Sequence, residues 1–529
     1  MITVSQSLAA ALLSCTDVTF GLMGNGNAHL IDALERGGRP ILSVRHEVAA
    51  VAAADAHHRV SRRLAVATTT HGPGFLNTLT ALADARVAGT PLLLVTGCAP
   101  GSGRRSADVD QESLAGALGV ATLTVHPGYA ATAVIEAARA ALTGRTPVVV
   151  AVPRDVATVP STDPEPPGLS LPVRERAPVD VTALLADAER PLILAGRGAR
   201  DAVAHVRELA VRLGADVATT APARGIFHGL AGVRDLGVCG GFNTSPEEIR
   251  AADVVLVLGA GLNDFTVDSG AAFGPGARVI QVDRAPAATH PRVGVFLRGD
   301  VADVVADLRR RPASRNPPPP PEPGGELAPD GRLDPRGLFT ALNDMLPVDK
   351  LVTVDGGHFI AWPNLYLDLA GPDHMIMQGT AVQSIGMGFG AAVGVAAAAG
   401  ERLVVAVTGD GGGLMGLADL DTLIRVAERC LVVVVNDAAY GAEIHQYAPA
   451  GLRERAMLID EVDFAGVARS LGARADTVRT HADLAGAREW LAAGAAGTYL
   501  IDCRVSRSVV APFIRRVAAE PIAHSLPDG

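Results

Sequence analysis

The sequence predicts an α/β protein made of three doubly wound parallel-sheet domains. Three observations carry this reading. Short runs that are apolar throughout alternate with longer amphipathic runs along all 529 residues, the pattern of strands buried between helical layers. Apolar residues make up 48 % of the chain and aromatics only 4 %, as expected where Ala-, Val- and Leu-rich helices cover a sheet. Two stretches dense in Pro and charge, Pro153–Asp180 and Arg310–Pro335, favour extended, unpacked chain. They leave segments 1–160, 180–310 and 335–529, in line with a prior of roughly 100–200 residues per domain.

In the first segment "RLAVATTT" and "PLLLVTG" read as buried strands, with "GFLNTLTALADARVAG" as the helix between them. "TPVVVAVPRDV" is a late strand. In the second, "RPLILAGRG" and "ADVVLVLGAG" are strands that end in glycine turns. In the third, "LVTVDGG", "LVVAVTGDGG", "CLVVVVND" and "TYLIDCRV" are strands separated by helical stretches. The first and third segments end alike, which hints at related architecture.

Bulk properties narrow the function. A net charge of −10 gives no reason to expect nucleic acid or an anionic membrane as partner. Lys350 is the only lysine, so Schiff-base chemistry has one possible residue. Cys15, Cys98, Cys239, Cys430 and Cys503 are isolated and odd in number, which supports neither a disulfide framework nor a zinc site. No Lys or Arg precedes Arg36, so "AALLSC" reads as a helix of the first domain rather than a leader. No apolar run reaches the roughly 18 residues of a membrane span, and a cytoplasmic location is expected.

Asp410 follows the apolar run "LVVAVTG", flanked by glycines, and Asp437 follows "CLVVVV" 27 residues later. One strand–helix–strand unit separates them, so both acids fall at the carboxyl edge of one sheet, where such folds bind ligands. Two ordinary turns with solvated acids fit this spacing. So does a site in which glycine N–H groups approach a phosphate and carboxylates hold Mg²⁺ beside it.

The pair "GDGGG…NDAAYG" resembles the thiamine-diphosphate-binding motif, and four further segments extend the likeness. "RHEVAAVAAADAHHRV" (Arg45–Val60) is similar to the segment with the cofactor-activating glutamate, and "TTTHGPGFLNTLTALADARVAGTPLLLVTG" (Thr68–Gly97) to the family's "TSGPG" helix and following strand. "VDGGHFIAW" (Val354–Trp362) and "SIGMGFGAAVG" (Ser384–Gly394) are similar to segments opening the diphosphate domain. Order and spacing resemble the acetolactate synthase and pyruvate decarboxylase branch over nearly the whole chain.

The resemblance implies that the first and third domains form the thiamine diphosphate fold. It gives Mg²⁺ to Asp410, the side chain of Asp437 and the carbonyl of Ala439. Position 437 departs from the family, which usually has Asn there; Asp remains a hard oxygen ligand with one more negative charge. Gly356, His358, Ser384, Gly409, Gly411, Gly412 and Tyr440 would border the cofactor with Gly72 and Asn77, and Ile385 would wedge between its two rings. Glu47 would hydrogen-bond the aminopyrimidine ring, with the apolar run behind it desolvating the carboxylate and raising its pKa.

Asn25, His71, Gln111 and Glu443 are the implied substrate and proton-handling residues. His71 replaces the family's usual Ser, and Gln111 stands in a damaged version of the family's pattern. The adjacent His57 and His58 do not match the decarboxylase His-His pair, whose place holds "GSGRRSADVD". There Arg104 and Arg105 read as a solvated loop.

The implied activity is non-oxidative decarboxylation of a small 2-oxo acid, with carboligation of the resulting enamine to a second carbonyl compound; simple release of an aldehyde is the alternative. A homodimer is implied as the minimal active unit, with a homotetramer common. The broken G-x-G-x-x-G at Leu194–Asp201 and the strand-end Asp283 are a weak dinucleotide signal. In the family this domain carries FAD, ADP or nothing, and the sequence commits to none.

Overall fold

The computed structural model describes residues 2–106, 108–163, 168–172, 176–310 and 316–519. Parts of both Pro-rich stretches, 164–167, 173–175 and 311–315, lie outside the described residues. Three six-stranded sheets, parallel throughout, organise the chain.

In the N-terminal sheet, β1 (Thr19–Gly21), β2 (Leu42–Ser43), β3 (Val66–Thr69), β4 (Leu92–Cys98), β5 (Ala121–Thr124) and β6 (Pro147–Pro153) lie in the order β2-β1-β3-β4-β6-β5. A small pair, β7 (Val179–Asp180) with β14 (Val304–Val305), ties the two ends of the central unit together. Its own sheet places β8 (Pro191–Ala195), β9 (Asp216–Thr219), β10 (Asp235–Val238), β11 (Val254–Leu258), β12 (Arg278–Asp283) and β13 (Val295–Arg298) in the order β10-β9-β8-β11-β12-β13. The C-terminal sheet orders β15 (Leu351–Val354), β16 (Met375–Met377), β17 (Val404–Gly409), β18 (Arg429–Asn436), β19 (Arg474–Val478) and β20 (Gly497–Arg504) as β16-β15-β17-β18-β20-β19. Counted within each sheet, the first and third share one topology, 2-1-3-4-6-5. The central sheet runs 3-2-1-4-5-6, the order of dinucleotide-binding sheets.

The N- and C-terminal sheets share a core, because the helix Glu47–Ser61 packs directly on the helix Gly388–Ala398. Small residues permit the approach. A Cβ at Gly390 would meet the Ala49 Cα at 2.8 Å, and one at Gly394 would meet the Ala53 carbonyl oxygen at 2.0 Å. Any side chain at 394 would therefore push the helices apart. Residues 49–54 are all buried by this packing, so the apolar run behind Glu47 serves the join between domains rather than covering the glutamate.

Local differences from the sequence reading have local causes. The stretch read as one helix is two, Pro73–Leu76 and Leu79–Ala88. The break falls at Asn77–Thr78, where the buried Thr78 hydroxyl donates to the Phe75 carbonyl at 2.6 Å. The edge strand β5 is half-exposed and lacks the unbroken apolar run that marks a central strand. "AALLSC" ends the helix Val4–Cys15, whose start is fixed by a capping box between Thr3 and Gln6. Among the described residues no helix is long and apolar enough to cross a membrane.

Candidate active site

The sequence-derived residues gather into two groups, both at carboxyl ends of parallel strands. The C-terminal group surrounds one pocket. β17 and β18 are neighbours, with Gly409 paired to Val435, so the next turns bring Asp410 and Asp437 to the same edge. Gly356, His358, Ile385, Gly409, Asp410, Gly411, Gly412, Asp437, Ala439, Tyr440 and Glu443 all line this pocket, joined by Trp362 and Ser506. Ser384 stands next to it, its hydroxyl donating to the Ile385 carbonyl at 3.3 Å.

The electrostatics of the acidic pair are unfavourable without a cation. Both carboxylates are buried. Burial pushes the Asp410 pKa up to about 6, against the backbone N–H groups of Gly411, Ala439 and Ala438. Burial and then the charge of Asp410 push Asp437 up to about 7, with Arg507 opposing. Asp410 Oδ2 is buried with no hydrogen-bond partner, a costly state for a carboxylate. Ala438, directly after Asp437, sits at φ +57°, a conformation uncommon for any residue but glycine. The neighbouring bridge to Met457 and Ile459 uses the Ala438 carbonyl and the Tyr440 N–H, not the carbonyl of Ala439.

These features fit a divalent cation. Among the described residues no three His, Cys, Asp or Glu side chains converge as a metal cluster. Two carboxylates and a carbonyl nevertheless suit Mg²⁺, which completes its shell with phosphate and water oxygens. The glycines beside them have no room for side chains: a Cβ at Gly412 would meet Asp355 Oδ2 at 2.5 Å, and one at Gly411 the Tyr440 ring at 2.6 Å.

His358 is held by its Nε2 accepting from the Ala511 N–H at 2.8 Å, which puts its proton on Nδ1. Its ring lies 4.8 Å from that of His445, centroid to centroid. Burial, then the neighbouring His445, pulls its pKa down to about 3, so it is neutral.

The N-terminal group lies after β1, β2, β3 and β4. Glu47 opens its helix and accepts from Asn77 Nδ2 at 3.0 Å. Gln111 is buried and bridges the turn after β3 and the end of β4, accepting from the Gly72 N–H at 3.1 Å and donating to the Gly97 carbonyl at 3.0 Å. The Thr70 hydroxyl donates to Asn25 Oδ1 at 3.1 Å and lies 3.4 Å from His71 Nδ1. Burial, Arg154 and Arg105 lower the His71 pKa. Glu47 is half-buried within its own chain, because the helix behind it packs elsewhere.

Other residues singled out in the sequence have structural partners. Arg104 pairs with Asp110 at 2.9 Å and Arg105 with Asp108 at 2.6 Å, both arginines exposed. His57 and His58 are buried within the helix Glu47–Ser61. The Leu194–Asp201 glycines pack on the turn after the neighbouring strand β11, where a Cβ at Gly196 would meet the Gly259 carbonyl at 2.4 Å. That packing accounts for these glycines without a nucleotide.

Asp355 was missed by sequence reasoning. It is fully buried, and its carboxylate accepts from the Gly356 N–H at 2.9 Å and the Gly386 N–H at 2.9 Å. It thus ties together turns on either side of the pocket. Its signature, an apolar strand ending in Asp-Gly, is the one that marks Asp410.

Two parallel sheets of one topology, each with a polar cluster at its strand ends, define a cofactor-dependent α/β enzyme. The chain belongs to the thiamine pyrophosphate (thiamine diphosphate) enzymes: residues 2–115 match the family's N-terminal TPP binding domain, 179–308 its central domain and 355–503 its C-terminal TPP binding domain. It is 28 % identical to the acetolactate synthase large subunit of Parasynechococcus marenigrum, over 90 % of this chain and 85 % of that one. It is 27 % identical to 2-hydroxyacyl-CoA lyase 2 of Caenorhabditis elegans, over 89 % and 84 %. Its fold matches the thiamine diphosphate-dependent 4-hydroxybenzoylformate decarboxylase of Rhodococcus jostii RHA1 with a TM-score of 0.78, at 22 % identity, over 95 % of this chain and 99 % of that one.

Proposed function

We propose that this chain is a Mg²⁺-dependent thiamine diphosphate enzyme that decarboxylates a small 2-oxo acid and joins the remaining unit to a second carbonyl compound. The observation that carries the reading is the buried Asp410–Asp437 pair, with its orphaned oxygen, beside a glycine-lined pocket. Similarity to acetolactate synthases across most of the chain favours ligation over simple decarboxylation.

When bound, thiamine diphosphate supplies a carbon nucleophile and an electron sink for the carbon that loses CO₂. Asp410, Asp437 and the Ala439 carbonyl would hold Mg²⁺, which would balance the charge of the diphosphate. Gly356, Gly409, Gly411 and Gly412 let the backbone close on it, with Ser384 and Tyr440 at its border. Ile385, stiff through β-branching, would stand against the bound cofactor as its wedge. Glu47, oriented by Asn77, would hold a proton at its carboxylate within reach of the cofactor's ring. Gln111 fixes the Gly72 turn, while Asn25, His71, neutral His358 and Glu443 face the substrate.

Within one chain the pocket is lined by residues 356–506 alone, away from the Glu47 cluster. Large apolar side chains stand exposed in both groups, Met23 at 60 %, Leu76 at 40 % and Met415 at 60 %. A second copy would cover them and bring Glu47 of one chain to the pocket of the other. On this reading a homodimer is the minimal active unit, and a homotetramer is the expected assembly.

Incubating the holoenzyme with pyruvate and longer 2-oxo acids, with products identified by mass spectrometry, tests this. Acyloin-type products are expected. Free aldehyde as the sole product would instead support the second reading, a simple decarboxylase, which Glu443 on the pocket lining favours.

A further inference from the structure

The segment from β16 to the helix Gly388–Ala398 carries Ile385, and buried carboxylates hold it at both ends. At its start stands Asp84, a fully buried residue of the helix Leu79–Ala88. One of its oxygens accepts from the N–H groups of Ala381 at 2.9 Å and Val382 at 3.2 Å. The other accepts from the Gly379 N–H at 3.1 Å and Gln378 Nε2 at 3.3 Å.

Arg59 lies 3.6 Å from Asp84. Its guanidinium forms a two-pronged pair with the buried Asp55, at 2.7 Å for each bond, and donates to the Met377 carbonyl at 2.9 Å. At the far end Asp355 accepts from the Gly386 N–H. Between these anchors Gln383 sits at φ +57°, which a non-glycine residue does not adopt by local preference.

Two buried carboxylates share one guanidinium here, and the Gln378 amide, which donates to Asp55 at 3.0 Å as well as to Asp84, joins backbone N–H groups of the segment in balancing them. The segment is therefore held at its start by Asp84 and at its end by Asp355. Asp55 and Arg59 stand on the helix that opens with Glu47, so that helix carries both the glutamate and part of this clamp.

We propose that Asp84, from the N-terminal domain, is a positioning residue of the cofactor site in its own chain's C-terminal domain, acting by fixing the segment that presents Ile385. This rests on the reading of Ile385 as the cofactor's wedge.

The test compares Asp84→Asn and Ile385→Ala with the wild-type holoenzyme. Thiamine diphosphate binding is followed with Mg²⁺ by quenching of Trp362, one of only two tryptophans, and by the circular dichroism of the bound cofactor. Asp84→Asn keeps its size and far-ultraviolet dichroism. It raises the cofactor's dissociation constant by about tenfold or more, weakens the bound-cofactor signal and lowers kcat at saturating cofactor by a similar factor. KM for the oxo acid stays within about twofold, a split that general loss of folded protein does not produce.

If Asp84→Asn does not fold, Gln378→Met removes one donor of the clamp and gives the same pattern, reduced to about two- to threefold. A folded variant with unchanged binding, signal and kcat, while Ile385→Ala is impaired, overturns the role of Asp84 alone. If Ile385→Ala is itself unaffected, the wedge reading falls and the proposal falls with it.

Discussion

Asp410 and Asp437 follow two adjacent parallel strands and lie buried against one another at their carboxyl ends. The charge of Asp410 is the second cause, after burial, of the raised pKa of Asp437. A carboxyl whose folded pKa lies above its unfolded value destabilises the fold at neutral pH, and its removal relieves that cost.

Asp437→Asn is therefore expected to raise the melting temperature of the metal-free protein, by a few degrees on the usual scale, and to keep Mg²⁺-dependent cofactor binding. Asp410→Asn is expected to weaken that binding at least about tenfold, since even a partner behind a metal ligand commonly costs that much. Calorimetric titration and thermal melts of both variants check the pair. Equal losses of binding in the two would contradict this division of roles.

Glu47→Gln keeps the Asn77 contact but cannot accept a proton. Turnover is expected to fall by roughly 10²–10⁴-fold, the usual range for proton transfer by a positioned side chain, while cofactor affinity changes little. Steady-state kinetics with saturating cofactor decide it, and intact turnover would show that the mechanism is wrong.

If each active site takes Glu47 from one copy and Asp410 from the other, two dead variants should complement. Mixing unfolded Glu47→Gln and Asp410→Asn chains and refolding them together should restore about one quarter of wild-type activity, since half the dimers are mixed and each holds one intact site. The parent variants refolded alone provide the baseline. No recovery in verified mixed dimers would place both residues of a site on one chain.

His57 and His58 are buried, and burial is the largest cause pulling each pKa from 6.5 to about 4. The sign follows: a histidine whose folded pKa is depressed contributes stability above pH 6.5 that is lost as pH falls toward the folded value. Between about pH 7.5 and about pH 5 this amounts to roughly 2 kcal/mol per histidine. Urea unfolding of the wild type and of a His57→Gln, His58→Gln double variant at both pH values should show a smaller acid loss in the variant. The same loss in both would contradict the assignment.

The strands most legible in the sequence were β4, β6, β11, β17, β18 and β20, because central parallel strands are apolar on both faces. Asp410 and Asp437 were legible for a related reason: an acid between small residues, after such a strand, can only fall at the sheet's carboxyl edge. Asp84 gave no such signal. Its partners are backbone N–H groups 295 to 298 residues away, and no local pattern encodes a contact of that range. The break at Asn77, which turns its amide to Glu47, depends on one buried threonine in an otherwise helical pattern. The surroundings of Glu47 were misjudged because the alanines that look like its cover are committed to Gly390 and Gly394.

The most direct measurement is titration of the purified wild-type protein with thiamine diphosphate, with and without Mg²⁺, followed by calorimetry and circular dichroism. Saturable binding of one cofactor per chain is expected, with Mg²⁺ required and the signal lost in Asp410→Asn. Absence of any cofactor-dependent signal in the presence of Mg²⁺, or binding indifferent to Asp410, would contradict the account.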